Sequence, residues 1–443
     1  MVPLPSSTEV CIVGAGPSGL ACALGLAKRR IPFVIVDALE AGHNGSRAVL
    51  MQPNALEACL SNALGALYPQ LPEDLVSGGI QSNTLTTIDL QERLVFRLRM
   101  ADIAAYTKYA FSLLIPQHKV EHRLREYVQG GGNGIHWHKR VTDVKEVAEG
   151  TLYELGFESG EVLTARYVVA ADGSKSFLRS FAGIRFIDPY TKKEAGPGKN
   201  DLSFVVADVL FASPLPTNVP RDGLQMMVGA GGVVLTAPLL DIDSAGAPRN
   251  NNLFRLYLGV PDTPPRSPDA AYLQAILDAR GPGSHSKLHT VPQIAKVLDS
   301  SRYRTRPALA DRYVQRAKGG AYILLVGDAA HKHGPAGGQG MNMGICDGIE
   351  LAQAIDEHRN SSALDAEKTG TTHDAVRIMD AYSAHRRSVA GQVIDMVESM
   401  TQVEKGGRDW GAYFRVTALW FAFKVPFVNG MLAWKISGLG HAK

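Results

Sequence analysis

Short apolar runs, each ended by glycine or a polar residue, set the rhythm of this chain. Val10-Cys11-Ile12-Val13 is dense enough in β-branched residues to predict a strand buried on both faces. Glycines end it, residues 20–30 predict a helix, and a second run, Phe33-Val34-Ile35-Val36, closes on Asp37. Strand, helix and strand at this spacing form a βαβ unit. A polar, glycine-bearing loop over 40–47 precedes a helix holding Pro53, Leu56 and Leu60.

From 81 to 100 the period changes, and 84–88 and 94–98 predict antiparallel strands joined by a polar turn. Helical spacing returns over 117–128, with Val120, Leu124 and Val128 on one face. Tyr167-Val168-Val169-Ala170-Ala171 predicts another buried strand, stopped by Asp172-Gly173. β-like runs follow at 202–210, 224–228, 233–238 and 253–260, separated by polar or proline-rich loops such as 241–252 and 261–268. A parallel-type strand comes back at Tyr322-Ile323-Leu324-Leu325-Val326. Polar residues 359–373 read as a linker before a long helix over about 374–403, with Val376, Met379, Val389, Val393 and Val397 near one face.

At 443 residues the chain has room for two or three domains. Hydrophobic residues make up 45% and charged residues 20%, as in ordinary globular proteins, and a net charge of +3 gives no footing for nucleic-acid binding. Cys11, Cys22, Cys59 and Cys346 lie in apolar stretches without CxxC spacing, which predicts buried free thiols in a reducing compartment. The opening MVPLPSSTEV runs straight into a strand with no room for a signal peptide, so a cytoplasmic location is expected. Residues 416–434 are mostly apolar, but Lys424, Pro426 and Asn429 interrupt them, short of the roughly 20 apolar residues of a spanning helix. A terminal helix pair packed on the body is the expectation, and peripheral membrane attachment by this segment is the alternative.

Two glycine-rich stretches carry chemistry. In Gly14-Ala15-Gly16-Pro17-Ser18-Gly19 the glycines follow a strand and open a helix, and an acid, Asp37, ends the next strand. The first glycine makes the turn, the second lets a pyrophosphate approach the backbone, and the third permits close helix packing. The helix N-terminus faces the phosphates and Asp37 the adenosine ribose. This unit predicts a dinucleotide site and does not separate FAD from NAD. The second stretch does: Gly327-Asp328-Ala329-Ala330-His331 ends a buried strand, where a carboxylate meets ribityl hydroxyls. Gly334-Pro335-Ala336-Gly337-Gly338-Gln339-Gly340-Met341-Asn342 then leads into a helix whose first N–H groups suit the pyrimidine edge of a flavin.

With these motifs the predicted fold class is α/β (α+β overall). A Rossmann-like FAD domain is assembled from 1–75, 117–183 and 317–403, an antiparallel-sheet substrate domain from 76–116 and 184–316 is inserted, and 404–443 forms C-terminal helices.

The chain resembles the class A flavoprotein monooxygenases, the group of p-hydroxybenzoate, phenol and ubiquinone-pathway hydroxylases. Five features carry the resemblance: the fingerprint with Asp37; Arg47-Ala48 with Pro53, Leu56 and Glu57; Gln117 with Glu121 and Leu124; Asp172-Gly173 with Ser176 and Arg179; and Gly327-Asp328 with Pro335 and its glycine loop. The resemblance implies FAD contacts from Gly14, Gly16, Ser18, Gly19, Asp37, Arg47, Ala48, Gln117, Asp172, Gly327, Asp328, Pro335, Gly338, Gly340, Met341 and Asn342. It places Arg47 at the flavin's phosphate or ribityl region, Gln117 at the ribityl or isoalloxazine, Asp172 in a motif for both FAD and NAD(P)H, and the Pro335 carbonyl beside the reactive flavin carbon. Tyr382, His385, Arg386 and Arg387 look like the family's Y-x-x-E-R, with His385 in place of the acid, a departure that concerns domain packing.

The implied activity is that of a monooxygenase with one FAD, reduced by NAD(P)H, that forms a C4a-hydroperoxyflavin with O2 and hydroxylates an aromatic or phenolic small molecule, as in secondary metabolism. Alternatives are an epoxidase or rearranging oxygenase on an indole, polyketide or prenylated compound, a peripheral membrane reductase of isoprenoids, and an inactive flavin-binding protein. A second dinucleotide fingerprint is absent, because Gly229-Ala230-Gly231-Gly232 lacks a strand-to-helix setting, so NAD(P)H is expected to dock transiently on the FAD domain. No metal is expected, since His331 and His333 have no partner at ligand spacing. His331 reads as a structural part of its motif. Candidate catalytic residues are His333, Pro335, Tyr257 and Gln225, and no residue stands out as substrate base. Arg97, Arg99, Gln225, Met227 and Tyr257 line a pocket if their strand faces point inward, which alternation alone does not decide.

Overall fold

The computed structural model describes residues 3–40, 48–57, 60, 64–65, 67–195, 202–229, 232–241, 252–368, 373–404 and 426–441. Strands and helices are numbered in chain order. The first sheet has eight strands: β1 (Ser7–Val13), β2 (Phe33–Val36), β8 (Ile135–His136), β9 (Val141–Val147), β10 (Leu152–Phe157), β11 (Val162–Ala170), β19 (Val314–Arg316) and β20 (Tyr322–Leu325). Its parallel core runs β20-β11-β1-β2-β8, and the register aligns Val10 with Tyr167, and Tyr167 with Tyr322. Cys11, Ile12, Ile35, Val168, Ile323 and Leu324 are fully buried, which explains why these strands read as continuous apolar runs. The β9–β10 hairpin, which the sequence pattern did not single out, pairs antiparallel onto the first half of β11. β19 joins this sheet at Val314, slightly before the boundary expected at 317.

Helix α1 (Pro17–Lys28) starts three residues earlier than expected, with its proline in the first turn, where a missing N–H costs nothing. Helix α3 (Gln117–Gly130) buries the expected stripe of Val120, Leu124 and Val128. Short helices α2 (Leu71–Ser77) and α4 (Phe177–Phe181) flank the sheet segments. Helix α6 (Gly340–Lys368) packs along α1, and helix α7 (His373–Glu404) packs on α6. The linker expected over 359–373 is therefore wrong for its first ten residues, which continue α6. They are polar, yet α6 already buries Ile345, Ile349, Leu351 and Ile355, and tertiary packing lets the helix run on past its apolar stripe. On α7, Met379, Val389, Val393 and Val397 are buried as expected.

The second large sheet has seven strands: β5 (Thr84–Asp89), β6 (Leu94–Arg99), β13 (Leu202–Phe211), β14 (Leu224–Gly229), β15 (Gly232–Pro238), β16 (Leu253–Val260) and β17 (Ile294–Thr305). Its order is β17-β13-β16-β15-β14-β5-β6, antiparallel throughout except for the parallel β14–β5 pair. Helix α5 (Ala270–Arg280), capped by the Asp269 side chain, covers one face, where Leu273 and Leu277 pack with Val205, Val209, Met227 and Leu256. Two small sheets stitch the domains together: β3 (Leu50–Met51) with β7 (Ser112–Leu114) and β4 (Ile80–Ser82), and β12 (Phe186–Ile187) with β18 (Ala308–Ala310) and β21 (His331–Lys332).

Of the C-terminal apolar segment, residues 405–425 lie outside the described part, as do Arg47 and Cys59. Helix α8 (Pro426–Ser437) packs on the body through Ala433, Ile436, Leu98, Met100 and Ile103, with the Trp434 ring 4.9 Å from that of Tyr106. Among the described residues no helix is long and apolar enough to cross a membrane. Cys11, Cys22 and Cys346 are buried thiols outside any disulfide, and burial pushes the thiols of Cys11 and Cys22 up to about 12.

Candidate active site

The first glycine motif is a rigid turn. Gly14 has φ +112, and a Cβ there would meet the Ala171 carbonyl oxygen at 2.2 Å. A Cβ on Gly19 would stand 1.9 Å from the Gly14 carbonyl oxygen, so only glycine lets α1 start against the turn. Gly16 differs: a Cβ built there meets nothing within 4 Å. The open side of an otherwise dense turn, at a helix N-terminus, is the space a pyrophosphate needs. Asp37 shapes the same turn, accepting the Ala15 N–H at 2.7 Å and the Leu39 N–H at 2.8 Å.

The second motif dovetails into the first. The Ser18 hydroxyl fills the space that a Cβ would take on both Gly327 and Gly344, at 2.3 and 2.2 Å. Gly348 of α6 approaches the Ser18 carbonyl oxygen, where a Cβ would sit at 2.3 Å. Small residues thus bring α1, the end of β20 and α6 into backbone contact, and segments three hundred positions apart in sequence share one site. Asp328 is exposed at the end of β20, as a ligand-facing carboxylate would be.

Ser176 caps α4, accepting the Arg179 N–H at 2.9 Å, and Asp172 accepts the Leu178 N–H of the same turn at 3.2 Å, while its other oxygen is buried and has no partner. Burial raises its carboxyl above the usual range, and Ser176 and backbone N–H groups partly offset this. Arg179 donates to the carbonyls of Ala329 at 3.0 Å and Ser174 at 3.1 Å, tying the Asp172-Gly173 turn to the Gly327–His331 motif. An open glycine, an exposed carboxylate and an orphaned buried carboxylate oxygen form a donor and acceptor set that fits FAD.

The glycine loop is held by two side chains, Asn342, which was expected at the flavin, and Gln52, which the sequence pattern did not mark. Gln52 donates its N–H to the Asn342 side-chain oxygen at 2.8 Å, and its amide reaches the Gly337 carbonyl at 3.1 Å. Asn342, fully buried, donates to the carbonyls of Leu50 and Gly338, at 3.0 and 2.8 Å. Its side chain therefore fixes the loop, and the backbone of Gly340 and Met341 is left at the start of α6. Gly338, at φ +60, packs on Leu50, and Gln339 donates to the Ile436 carbonyl at 2.6 Å, joining α8 to the loop.

Beneath the loop lies a buried charge network. Asp347 accepts the Gly327 N–H at 2.9 Å and His331 Nε2 at 2.7 Å on one oxygen, and Arg386 Nε at 2.6 Å on the other. Burial disfavours its charge, but Arg386, His331 and the Gly327 N–H outweigh burial and hold the carboxyl well below the usual range. Arg386 also donates to Glu350 at 2.8 Å, and His385 stands 3.6 Å from the same carboxylate. Glu350 of α6 thus meets both His385 and Arg386 of α7 across the contact between the two helices. His331 is bonded to Asp347 through Nε2 and its Nδ1 is buried without a partner, while His333 donates from Nδ1 to the Gly334 carbonyl at 2.7 Å, leaving Nε2 buried and unpartnered beside Gly340. Burial pushes His333 down to about 4.

Strand parity settles which β-domain residues face the nucleotide domain. Leu224, Leu235, Ala237 and Tyr257 pack with Val49 and Leu114. Arg255, on the Tyr257 face, holds Asp208 through two bonds of 2.6 and 2.7 Å and donates to the Ala48 carbonyl at 2.8 Å. The Gln117 N–H reaches the same carbonyl at 3.1 Å, and its side chain donates to Glu121 at 2.8 Å. Gln225 and Met227 fall on the opposite face, Met227 in the core under α5 and Gln225 donating to the Asn218 carbonyl. The structure thus does not bring Gln225 to the site, and Arg97 and Arg99 are exposed on that outer face as well. A one-residue shift in parity separates the two sets. Burial pushes the Tyr257 phenol up to about 12, which makes it a donor and no base at neutral pH. Among the described residues no cluster of side chains could hold a metal ion.

A family model described as an FAD binding domain matches residues 7–397. The chain belongs to this FAD-binding family. It is 28% identical over 408 residues to the 6-methylpretetramide 4-monooxygenase of Streptomyces rimosus, covering 90% of this chain and 63% of that protein, so it spans less than two thirds of that relative. It is 22% identical over 441 residues to the pentachlorophenol 4-monooxygenase of Sphingobium chlorophenolicum, covering 96% and 73%. Its fold matches the crystal structure of p-nitrophenol 4-monooxygenase from Pseudomonas putida DLL-E4 with a TM-score of 0.75 and 21% identity, over 99% of each chain. The mixed α/β architecture with an antiparallel second sheet is therefore the family's fold.

Proposed function

We propose that the protein is an FAD-dependent monooxygenase that uses NAD(P)H and O2 to hydroxylate an aromatic or phenolic small molecule in secondary metabolism, in the cytoplasm. The observation that carries this reading is the Ser18 hydroxyl lodged between Gly327 and Gly344, which builds one cradle from the two glycine motifs. Bound there, FAD supplies the electron transfer from NAD(P)H and the activation of oxygen. The chain's own residues bind and orient it. Gly16 leaves room for the pyrophosphate, Asp37 and Asp328 offer carboxylates to the ribose and ribityl hydroxyls, and the start of α6 presents N–H groups to the pyrimidine edge. The apolar face made by Leu224, Leu235 and Ala237, with Tyr257 and Arg255 at its edge, packs on Val49 and Leu114 next to Ala48 and would keep water from that side. Relatives named for oxygenation of phenols and of 6-methylpretetramide support the aromatic substrate class.

The test is to purify the protein, record its visible spectrum, and follow NADPH and NADH oxidation with phenolic and polycyclic aromatic compounds under oxygen. Yellow protein, substrate-stimulated oxidation and a product heavier by one oxygen are expected. A colourless protein that does not take up added FAD refutes the reading.

A further inference from the structure

A second polar pocket lies away from the flavin motifs. It is lined by Arg166, Arg316, Gly319, Gly320, Tyr322, His358, Ser362 and Val376, and its volume is about 70 Å³. Tyr322 opens β20 and Gly327 follows its end, so roughly 16 Å of strand separates the two regions at ~3.3 Å per residue. At ~30 Å³ per water the space takes two waters or one small tetrahedral ion.

The charges around it are lopsided. Arg166 lies over the Tyr167 ring at 5.3 Å and Arg316 over the Tyr322 ring at 6.0 Å, and among the described residues neither guanidinium has a carboxylate partner. His358 is almost fully buried, and both of its nitrogens are in use, with Tyr167 OH at 2.8 Å and Tyr322 OH at 3.1 Å. Burial first, then Arg166 and Arg316, keep it neutral at physiological pH. Tyr322 feels the same two arginines ahead of its one acid neighbour, Asp380. Stacking on aromatic faces presents a guanidinium edge-on to a ligand, the geometry that suits oxyanions. A neutral His358 that takes the Tyr167 proton bond at Nδ1 donates from Nε2 to Tyr322 and leaves the Tyr322 O–H free to donate into the pocket. Ser362, whose Oγ lies 3.5 Å from His358 Nδ1, adds a hydroxyl at the wall.

The geometry points to a binding site for a small tetrahedral oxyanion of the phosphate class, held by Arg166 and Arg316 with hydroxyl donors from Tyr322 and Ser362. Such an ion neutralises two cations that the fold otherwise leaves facing one cavity. The site does not depend on the oxygenase reading, because its ligand is read without turnover.

The test uses the flavin-loaded protein and compares melting in phosphate, sulfate and chloride at matched ionic strength, which removes general screening. A saturable Tm rise of roughly 2 °C in phosphate and sulfate, absent in chloride, is expected. Arg166→Gln and Arg316→Gln should each weaken phosphate binding tenfold or more by calorimetry, while Arg123→Gln, which breaks a surface pair with Glu126 elsewhere, keeps it. Ser362→Asp should raise Tm without phosphate and abolish the response, because the new carboxylate takes the ion's place. Displacement of phosphate by NADPH but not by NADH would support the site and give its source as the co-substrate's 2′-phosphate. An equal rise in chloride, or an undiminished response in both arginine variants, overturns the proposal.

Discussion

The Ser18 hydroxyl occupies the space that a Cβ on Gly344 would need, 2.2 Å away, and so joins α1 to α6 at the floor of the cradle. Gly344→Ala should therefore cost about 1–3 kcal/mol through overpacking. Ser18→Ala in the same chain removes the clashing oxygen and should recover most of the loss. Urea unfolding of the four proteins measures the coupling, and additive losses would show that the two positions do not share this space.

Asp347 is the only acid bonded to both His331 and Arg386 in the network beneath the loop, among the described residues. Asp347→Asn leaves Arg386 buried with one acid fewer and should destabilise by about 3–5 kcal/mol. The folded carboxyl lies below its unfolded value of about 4, so its stabilisation is complete above pH 5 and is lost as pH falls through and below 4. The gap between wild type and variant should accordingly be constant from pH 5 to 8 and narrow on acidification. A gap that widens in acid contradicts the assignment.

His333 and His358 act in a higher pH range. Both are pushed down to about 4, so between that value and the unfolded value of about 6.5 the unfolded chain binds more protons. Stability should fall as pH drops from 6.5 to 4, by up to about 3 kcal/mol per histidine. His358→Gln should flatten this slope, read from unfolding free energy at several pH values. A variant profile parallel to wild type would remove His358 from the account.

Arg255 and Asp208 connect the second sheet to Ala48. Arg255→Met strands a buried carboxylate and should cost about 3–5 kcal/mol, whereas Arg255→Met with Asp208→Leu removes both charges and should cost far less. In the double variant the Ala48 carbonyl still loses its guanidinium donor. FAD affinity, followed by flavin fluorescence, should then drop about tenfold although stability recovers, since a lost hydrogen bond from a charged donor is worth about 1.5–3 kcal/mol. Unchanged affinity would mean that Ala48 is held without Arg255.

The first glycine turn was legible because its signals are local. A turn that needs φ +112 at Gly14, a strand before it, and an acid at the end of the next strand lie within thirty residues of one another. The Val120, Leu124 and Val128 stripe is equally local. What held the second motif was harder to see, since Gln52 and Asp347 are ordinary polar residues until the fold buries them beside loop carbonyls and cations, and Asn342, expected at the flavin, turns its side chain to the loop itself.

The sequence by itself determined the nucleotide-binding unit, the alternation of α/β and antiparallel segments, and the apolar stripes of α3 and α7, because backbone propensity and periodicity act within a few residues. Only the tertiary structure decided that Tyr257 faces the nucleotide domain while Gln225 faces α5, that residues 359–368 continue a helix, and that Arg255 reaches Ala48. Strand parity, helix length and long-range ion pairs depend on which surface each segment is packed against, and that is set by residues hundreds of positions away.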